Sequence, residues 1–427
     1  MTTTKNNEHK KLNYSSEREQ SQTCLNSAEH EKNQGRKVLN VPNLRFPEFQ
    51  GEWEKYTLED VMNFSTTRVN SSELNEGNYV STENMLQDYQ GIVDAKSVPE
   101  DVNVISFSCG DILISNIRPY LKKVWKATYN GGCSSDVFVL KANDNIESDY
   151  LHYVIANDKF INFVMSGAKG VKMPRGDKKQ MKTYCLSLPQ IQEQKKISTL
   201  LRLIDERIAT QSKIIDKLQS LIKGLNDSLY AQYGGKVLTS FAELGTSYSG
   251  LSGKSAQDFG SGKPFITYLN VYSNNAINEN DFQYVAIKDG EKQNIVEYGD
   301  VLFTLSSETP EEVGIGSVYL GKEKVYLNSF CFGIHITNTE VAFPPYLSYY
   351  VSSTAFRKFI YPYAQGSTRF NLCKADFEKA SIKLPTLENQ KRIYSILSHI
   401  DSKIETERQI LDLYNSQKQY LLRQVFI

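Results

Sequence analysis

The stretch from Ile191 to Leu229, IQEQKKISTLLRLIDERIATQSKIIDKLQSLIKGLNDSL, decides how the 427-residue chain is organised. Its apolar residues recur at alternating spacings of four and three, the heptad pattern of a helix that packs along a partner helix. Pro189 precedes the stretch and Gly234-Gly235 follow it, as is typical of helix boundaries. The seam positions are Ile197, Leu201, Ile204, Ile208, Gln211, Ile215, Leu218, Ile222, Leu225 and Leu229.

A second stretch with the same register lies 196 residues further along the chain. Its seam positions are Ile393, Leu397, Ile400, Ile404, Glu407, Leu411, Tyr414, Lys418, Leu421 and Val425. A narrow stripe of this length favours mutual pairing of the two helices, although each could also pack separately on its own domain. Antiparallel pairing brings Gln211 and Glu407 into the central layers, where they can satisfy one another or occupy ordinary solvated positions.

The helices belong to an internal repeat of the whole chain. Shared segments include Gly110-Asp111-Ile112-Leu113 with Gly299-Asp300-Val301-Leu302, Leu188-Pro189 with Leu384-Pro385, Gln194-Lys195 with Gln390-Lys391, and Ile204-Asp205 with Ile400-Asp401. Each copy has a mixed segment with strand-like runs, followed by one long helix. The copies agree closely late in each half and diverge early, so they share a scaffold and differ in surface detail.

We therefore predict a mixed α/β fold, in which two α/β domains are separated by two long helices that pair as an antiparallel coiled coil with a pseudo-two-fold internal repeat. The predicted boundaries are a disordered tail over 1–40, a first domain over 41–187, a first helix over 188–234, a second domain over 235–383 and a second helix over 384–427. The tail has too few apolar residues to fold, and a misassigned upstream start explains its composition equally well.

Overall composition gives no sign of a particular partner. Lys plus Arg and Asp plus Glu both total 49, so any charged surface must arise from local clustering. The six cysteines form no Cys-x-x-Cys pair and have no histidines at ligand spacing, so we predict no metal site. No apolar run reaches membrane-spanning length and no secretory signal is present, which predicts a cytoplasmic protein without membrane contact.

Three short motifs are similar to catalytic or cofactor signatures, but each lacks a required residue. FPPY at 343–346 has Phe343 where an adenine methyltransferase needs a polar side chain, and its prolines are better explained as a helix start. GLSGKS at 250–255 has Tyr248 in place of the first P-loop glycine. Gly314-Ile315-Gly316 lacks the third glycine of a dinucleotide fingerprint. We predict no catalytic residues.

The duplicated plan, with a proline, a Gln-Lys pair and a long helix containing Ile-Asp after each copy, resembles the specificity (S) subunit of type I restriction-modification systems. NIRPYLKKVWKA at 116–127, followed by GGCSSDVFVL at 131–140, resembles a frequent core of the target-recognition domains in that family. AQGSTRFNL at 364–372 resembles their Gly-Ser-x-Arg segment. The first copy departs there, because Met173 aligns with Arg369. The resemblance covers residues 41–427.

This resemblance implies a non-catalytic chain in which each recognition domain reads one half of a bipartite double-stranded DNA target. The helices would set the spacing and dock two modification (methyltransferase) subunits, and restriction/translocase subunits would join them. S-adenosylmethionine, ATP and Mg²⁺ would act on those partner subunits, with no cofactor bound by this chain. The alternative is a non-DNA coiled-coil adaptor whose two variable domains bind other partners.

Clusters of basic residues supply the candidate DNA contacts. In the first domain, cations lie beside Tyr120 and Trp125, a mixture suited to phosphate and stacking contacts, although a solvated face is the ordinary alternative. The DNA-binding candidates are Arg118, Lys122, Lys123, Lys126, Lys169, Lys172, Arg175 and Lys178 in the first domain, and Lys254, Lys263, Thr368, Arg369, Asn371 and Lys374 in the second. Arg118, Arg369 and Asn371 are candidate base readers, since Arg can bind guanine and Asn adenine through paired hydrogen bonds.

Overall fold

The computed structural model describes residues 39–170 and 172–427, so the predicted tail lies outside the described residues except for Leu39 and Asn40. The chain divides into two compact units. The first unit consists of two pieces, the chain up to Ala209 and Leu413–Ile427. The second unit is Thr210–Asp412. Each of the two long helices contributes to both units, because each crosses one of these boundaries.

The first unit contains two four-stranded sheets and a two-stranded pair. Its elements are β1 (Glu54–Thr57), α1 (Leu58–Val61), β2 (Met62–Phe64), β3 (Arg68–Asn70), β4 (Tyr79–Val80), β5 (Asn103–Phe107), β6 (Ile112–Ser115), β7 (Val124–Lys126), β8 (Gly131–Cys133), β9 (Val137–Ala142), α2 (Ser148–Ile155), α3 (Asp158–Ser166), α4 (Lys178–Lys182), β10 (Cys185–Leu188) and α5 (Ile191–Tyr233). One sheet is antiparallel with the order β2-β9-β6-β7, and the other has the order β3-β5-β8-β4 with β4 and β8 parallel. Strands β1 and β10 pair antiparallel.

The second unit repeats this plan. Its elements are β11 (Val237–Thr239), α6 (Phe241–Leu244), β12 (Gly245–Ser249), β13 (Phe259–Ile266), α7 (Tyr268–Ser273), β14 (Gln283–Val285), β15 (Val301–Thr304), β16 (Ser306–Ser307), β17 (Gly316–Val318), β18 (Tyr326–Leu327), β19 (Cys331–Ile336), α8 (Pro344–Tyr350), α9 (Thr354–Ile360), β20 (Ala364–Gln365), β21 (Phe370–Leu372), α10 (Lys374–Lys379), β22 (Ile382–Leu384) and α11 (Leu387–Val425). The order β12-β19-β15-β17 matches β2-β9-β6-β7, and β11-β22 matches β1-β10. Two further sheets have the orders β14-β13-β18 and β16-β21-β20.

Local sequence explains where the repeated elements begin. Thr57 and Asp60 form a capping box at α1, and Ser240 and Glu243 form the equivalent box at α6. Such boxes satisfy two amide donors that a helix start otherwise leaves unpaired. The matching elements and sheet orders confirm the predicted fold class of two mixed α/β domains followed by long helices.

Within each unit the two long helices run antiparallel. In the first unit, early seam residues of α5 such as Leu201 share one buried core with late residues of α11 such as Val425. In the second unit the pattern reverses, since late seam residues of α5 such as Ile222 share a core with early residues of α11 such as Leu397. The seam residues are buried or half-buried: Leu201, Ile204, Ile208, Gln211, Ile215, Leu218, Leu397, Ile400, Ile404, Glu407, Leu411 and Tyr414.

The polar seam positions meet in the second unit. Gln211 and Glu407 are each only 7% exposed. Nε2 of Gln211 donates to the Glu407 main-chain oxygen at 3.0 Å and also to its carboxylate. The ion pair with Lys403 and the bond from Gln211 hold the pKa of Glu407 below its ordinary value. The buried carboxylate and amide therefore satisfy each other, which favours one register of the two helices.

The glutamine of the repeated Gln-Lys pair anchors each long helix to its own domain. Gln194 accepts a hydrogen bond from the amide of Glu147 at 2.8 Å and donates to the carbonyl of the proline before α5 at 2.9 Å. Gln390 does the same with the amide of Phe343 and the proline before α11, at 2.8 and 2.9 Å. Both side chains are buried. The repeated glutamine therefore has a positional role.

The repeated Ile-Asp pair supplies a second anchor in each unit. Asp205 accepts a hydrogen bond from the Tyr153 hydroxyl of α2 at 2.8 Å. Asp401 accepts the equivalent bond from Tyr349 of α8. Thus α5 is tied to α2 and α11 to α8, through residues that occupy the same positions in the repeat.

The segment before β1 binds both long helices within the first unit. Leu44 donates its amide hydrogen to the main-chain oxygen of Gln424 in α11 at 3.0 Å. Nε and Nη2 of Arg45 each donate to a different carboxylate oxygen of Glu193 in α5, both at 2.8 Å. Because Glu193 is only 1% exposed, the bidentate ion pair with Arg45 compensates the burial of its carboxylate.

Replacing Arg45 should destabilise the first unit. Arg45→Ala leaves the Glu193 carboxylate buried and unpaired, which should cost about 3 kcal/mol of unfolding free energy. Calorimetry should show this loss as a lower Tm for the unfolding of the first unit. The matched control is Arg202→Ala, which removes the exposed pair with Glu206 and should cost less than about 1 kcal/mol. Equal Tm values for the two variants would contradict the role given to Arg45.

Acidification should weaken the first unit through His152. Part of this side chain is exposed, but Nδ1 is enclosed and has no hydrogen-bond partner among the described residues. Burial, with a smaller contribution from Lys418, lowers the pKa of His152 to about 4. Between the ordinary histidine pKa of about 6.5 and pH 4 the unfolded chain binds a proton that the folded chain does not, so stability falls as the pH falls through this window.

The measurement is the free energy of unfolding from pH 7 to pH 4 for wild type, His152→Gln and the exposed-site control His399→Gln. The wild type and the control should lose about 2 kcal/mol more than His152→Gln across the window. Parallel pH profiles for all three proteins would show that His152 is not the group responsible.

Candidate nucleic-acid interface

The structure brings the two basic runs of the first domain together. The segment after β6 lies beside the segment before α4, because the amide of Arg118 donates to the Pro174 oxygen at 2.7 Å and the amide of Gly176 donates to the Asn116 oxygen at 3.0 Å. Residues 116–120, 169–170 and 172–176 therefore form one surface, which we name the first face. Residues from distant parts of the sequence thus share one potential DNA contact.

Several side chains of the first face point to solvent. Arg118 is exposed and its backbone adopts the left-handed conformation at φ 50°, followed by a 3-10 turn that begins at Pro119. Lys172 and Tyr120 are also exposed. Within the described part of the chain, Arg118 and Lys172 have no side-chain ion pair or hydrogen bond. Their charges are available to an anionic partner.

Two other cations of the first face form ion pairs at the surface. Lys169 lies 3.3 Å from Asp177 and is 82% exposed, and Arg175 lies 3.0 Å from Asp136. Ion pairs in this setting are weak because water screens them. Both cations can therefore exchange these partners for phosphates at little cost.

The remaining basic candidates of the first domain make internal contacts. Lys122 pairs with Asp158 at 2.8 Å, Lys123 donates to the Thr82 carbonyl at 2.6 Å, Lys126 pairs with Asp149, and Lys178 lies 4.6 Å from the centre of the Phe138 ring. Burial lowers the pKa of Lys123 and of Lys178. Trp125 packs edge-on against Phe107, with ring centres 5.9 Å apart. In the structure these side chains therefore bind other parts of the first domain.

In the second domain an equivalent surface is built from β16, β20 and β21. Ser306 of β16 pairs with Asn371 of β21. Thr368, Arg369 and Asn371 are exposed. Gly366 is required in this turn, since its φ is 141° and an added Cβ would lie 2.2 Å from the Arg369 main-chain oxygen. We name residues 305–307, 330 and 364–372 the second face.

Lys374 has the same position as Lys178 in the other copy. Its ammonium lies 4.9 Å from the centre of the Phe332 ring, while Lys178 covers Phe138. Lys374 also lies 3.6 Å from Glu378 in α10. Both lysines therefore fix the start of a short helix on the sheet, a role that the charge pattern of the sequence did not reveal.

The two lysines predicted in the Gly/Ser-rich loop have different environments. The side chain of Lys254 is only 6% exposed and lies 2.6 Å from Glu291. Its hydrogen bond is the main cause that lowers the pKa of Glu291 to about 2. Lys263 of β13 is exposed. Lys263 can reach a partner directly, whereas Lys254 ties its loop to Ala286 and Glu291.

Neither metal binding nor membrane insertion has support in residues 39–170 and 172–427. His, Cys, Asp and Glu form no group of three or more there that could hold a metal ion. No helix in the same residues is long and apolar enough to cross a bilayer.

The family model for the type I restriction modification DNA specificity domain matches the chain twice, over residues 50–220 and 245–413. Together with the duplicated fold, these matches show that the chain belongs to the specificity subunits of type I restriction-modification systems. Members of this family recognise DNA targets and are the non-catalytic components of their complexes. The predicted family is confirmed.

Individual relatives agree with this assignment. A specificity subunit named as putative type I restriction enzyme MjaX of Methanocaldococcus jannaschii is 25% identical over 416 residues, covering 87% of this chain and 92% of the relative. The EcoDI specificity subunit of Escherichia coli is 25% identical over 126 residues, 30% of this chain and 28% of the relative. The crystal structure of an S subunit from M. genitalium has a TM-score of 0.54 at 14% identity, covering 91% of this chain and 99% of that chain. A chain from a type I R-M complex has a TM-score of 0.56 at 16% identity, covering 87% and 97%.

Removing the Arg118 guanidinium should weaken binding to the DNA target. If Arg118 reads a base, Arg118→Ala should cost about 1 to 3 kcal/mol on the cognate sequence and relax selectivity at one position. If it contacts only phosphate, binding should weaken uniformly across sequences. Fluorescence anisotropy with cognate and substituted duplexes measures both quantities for the complex with modification subunits.

The matched control is Lys55→Ala, an exposed lysine of β1 outside the first face. It should leave affinity and selectivity unchanged. An Arg118→Ala complex that binds every duplex as the wild type does would remove Arg118 from the interface.

Proposed function

We propose that the two domains read the two halves of a bipartite double-stranded DNA target. The supporting observation is that the two faces share one backbone arrangement and carry different exposed side chains. Arg175 corresponds to Asn371 and Met173 to Arg369 in the repeat. A common scaffold with exchanged side chains is what two independent readers of different half-sites require.

The exposed residues divide by chemistry into two groups. Arg118, Arg369 and Asn371 have the planar donor groups that discriminate bases in the major groove. Phosphate contacts, which position a protein without reading sequence, are assigned to exposed cations and hydroxyls outside that group: Lys169, Lys172 and Arg175 on the first face, and Lys263 and Thr368 in the second domain.

In this proposal the long helices set the spacing between half-sites and dock two modification subunits. α5 has 43 residues and α11 has 39, and both leave large apolar side chains in solvent. In the second unit these include Leu221 at 51% and Ile396 at 38% exposure. In this proposal these side chains contact the modification subunits. Two docking sites follow from the duplication, one for each copy.

Chemistry on DNA belongs to partner subunits in this scheme. The modification subunits would bind S-adenosylmethionine, and restriction/translocase subunits that join the complex would use ATP and Mg²⁺. This chain contributes the choice of sequence and its alignment with the partners. A cytoplasmic location is part of this proposal.

Exchanging one domain should change one block of the recognised motif. Residues 236–383 are replaced by the corresponding domain of another family member, and the methylated adenines of cells carrying the hybrid and its modification subunits are mapped. One block of the split motif should change and the other should remain, because each face reads its half independently. The reciprocal exchange of residues 51–187 is the matched control and should change the other block.

A motif in which both blocks change together would refute independent reading. A short continuous motif would refute the bipartite target. The adaptor alternative is tested by binding of the complex to duplex DNA at rising salt, because a reader that neutralises phosphates loses affinity steeply with salt. Absence of DNA binding at low salt would favour the adaptor.

A further inference from the structure

We propose that Phe330 makes an apolar contact with a base in the half-site read by the second domain. The proposal rests on the function proposed above and adds a residue that local charge patterns do not indicate. Phe330 lies in the turn between β18 and β19 and its side chain is 61% exposed. In the described part of the chain its ring contacts no other aromatic ring.

Backbone hydrogen bonds place Phe330 in the second face. The amide of Leu305 donates to the Phe330 oxygen at 2.9 Å, and the oxygen of Leu305 accepts from the Leu372 amide at 2.8 Å. Leu305 thus links Phe330 on one side to β21 on the other. The turn that carries the exposed ring therefore adjoins β21, which carries Asn371 and directly follows Arg369.

The turn holds Phe330 in place. Its amide donates to the Asn328 side-chain oxygen at 2.9 Å, and the Cys331 amide donates to the Asn328 main-chain oxygen at 3.0 Å. Phe332, two residues further, is buried and stacks on Phe303 with ring centres 5.5 Å apart. A large apolar side chain on a fixed backbone loses little freedom when it binds a partner.

The first domain has a different side chain at the equivalent point. There the amide of Asn116 donates to the Asp136 oxygen at 2.7 Å, so Asp136 corresponds to Phe330. The Asp136 carboxylate accepts from Arg175 at 3.0 Å. Where the first domain uses this position to orient an arginine, the second domain has an exposed phenyl ring. The difference fits two readers with different base preferences.

A phenyl ring can contact a base in two ways that share the same chemistry. It can pack against the C5-methyl group of thymine in the major groove. It can also act as a wedge that unstacks a base step. The cationic side chain of Arg369 in the same face can hold the DNA backbone close enough for either contact.

The test uses the complex with modification subunits and, as probe, a duplex carrying the motif methylated in cells. Phe330→Ala should weaken binding about tenfold and reduce selectivity only in the second block. Phe330→Leu keeps an apolar side chain and should therefore recover part of the affinity and part of the selectivity. The control is Tyr298→Ala, which removes an aromatic ring that is 59% exposed. Tyr298 lies just before the start of β15, whereas the second face lies after the end of that strand. This control should behave as the wild type.

Two probe substitutions identify the type of contact. Replacing thymine by uracil in the second block should weaken wild-type binding if the ring packs on the methyl group. A rise in 2-aminopurine fluorescence on binding, absent with Phe330→Ala, should appear if the ring unstacks a step. Either result supports a base contact by Phe330.

Wild-type affinity and selectivity in Phe330→Ala would overturn the proposal and leave the DNA-reading function intact. A wild-type complex that does not prefer the motif duplex over a scrambled duplex would instead refute the proposed function. Circular-dichroism melting of each variant separates loss of folding from loss of contact, and Phe330→Leu keeps the test valid if the alanine variant is unstable.

Discussion

The buried contact between Gln211 and Glu407 is the constraint on which the arrangement of the long helices depends. A slip of the seam would leave the Gln211 amide without its partner in an apolar layer, at a cost of the order of a few kcal/mol, while Glu407 would keep only Lys403 of its own helix. In the correct register each long helix also reaches its own domain. Gln194 and Asp205 anchor α5, and Gln390 and Asp401 anchor α11. The polar layer therefore gives specificity that a purely apolar seam would lack.

The elements visible in the sequence were those with a periodic signal or a repeat. The seams, the fold class and the duplication follow from spacing alone, because heptads constrain a helix surface directly. Spacing in the sequence did not reveal which side chains pair with the basic residues. Lys126 is paired by Asp149 and Lys122 by Asp158, and these carboxylates lie on helices that only the fold brings near. Phe330 could have been found by aligning SFCFGI with SDVFVL, where a phenylalanine replaces the aspartate.

The two copies separate scaffold from surface at the level of single positions. Lys178 and Lys374 keep their place over equivalent phenylalanines, since both secure a helix start. At another position the first copy has Asp136 and the second has Phe330, yet the main-chain oxygen of each accepts the equivalent amide hydrogen bond. Evolution of a new surface thus requires only exposed side chains to change, while the hydrogen bonds that shape each face remain.

The division of the chain has a consequence for biosynthesis. The second unit is continuous from Thr210 to Asp412, whereas the first also needs Leu413–Ile427. Although N-terminal domains generally fold first as a chain leaves the ribosome, this first unit cannot close until the last segment has emerged. The incompletely folded first unit therefore remains exposed while the whole second unit is translated. A nonsense mutation late in the gene would therefore damage the domain encoded at the beginning.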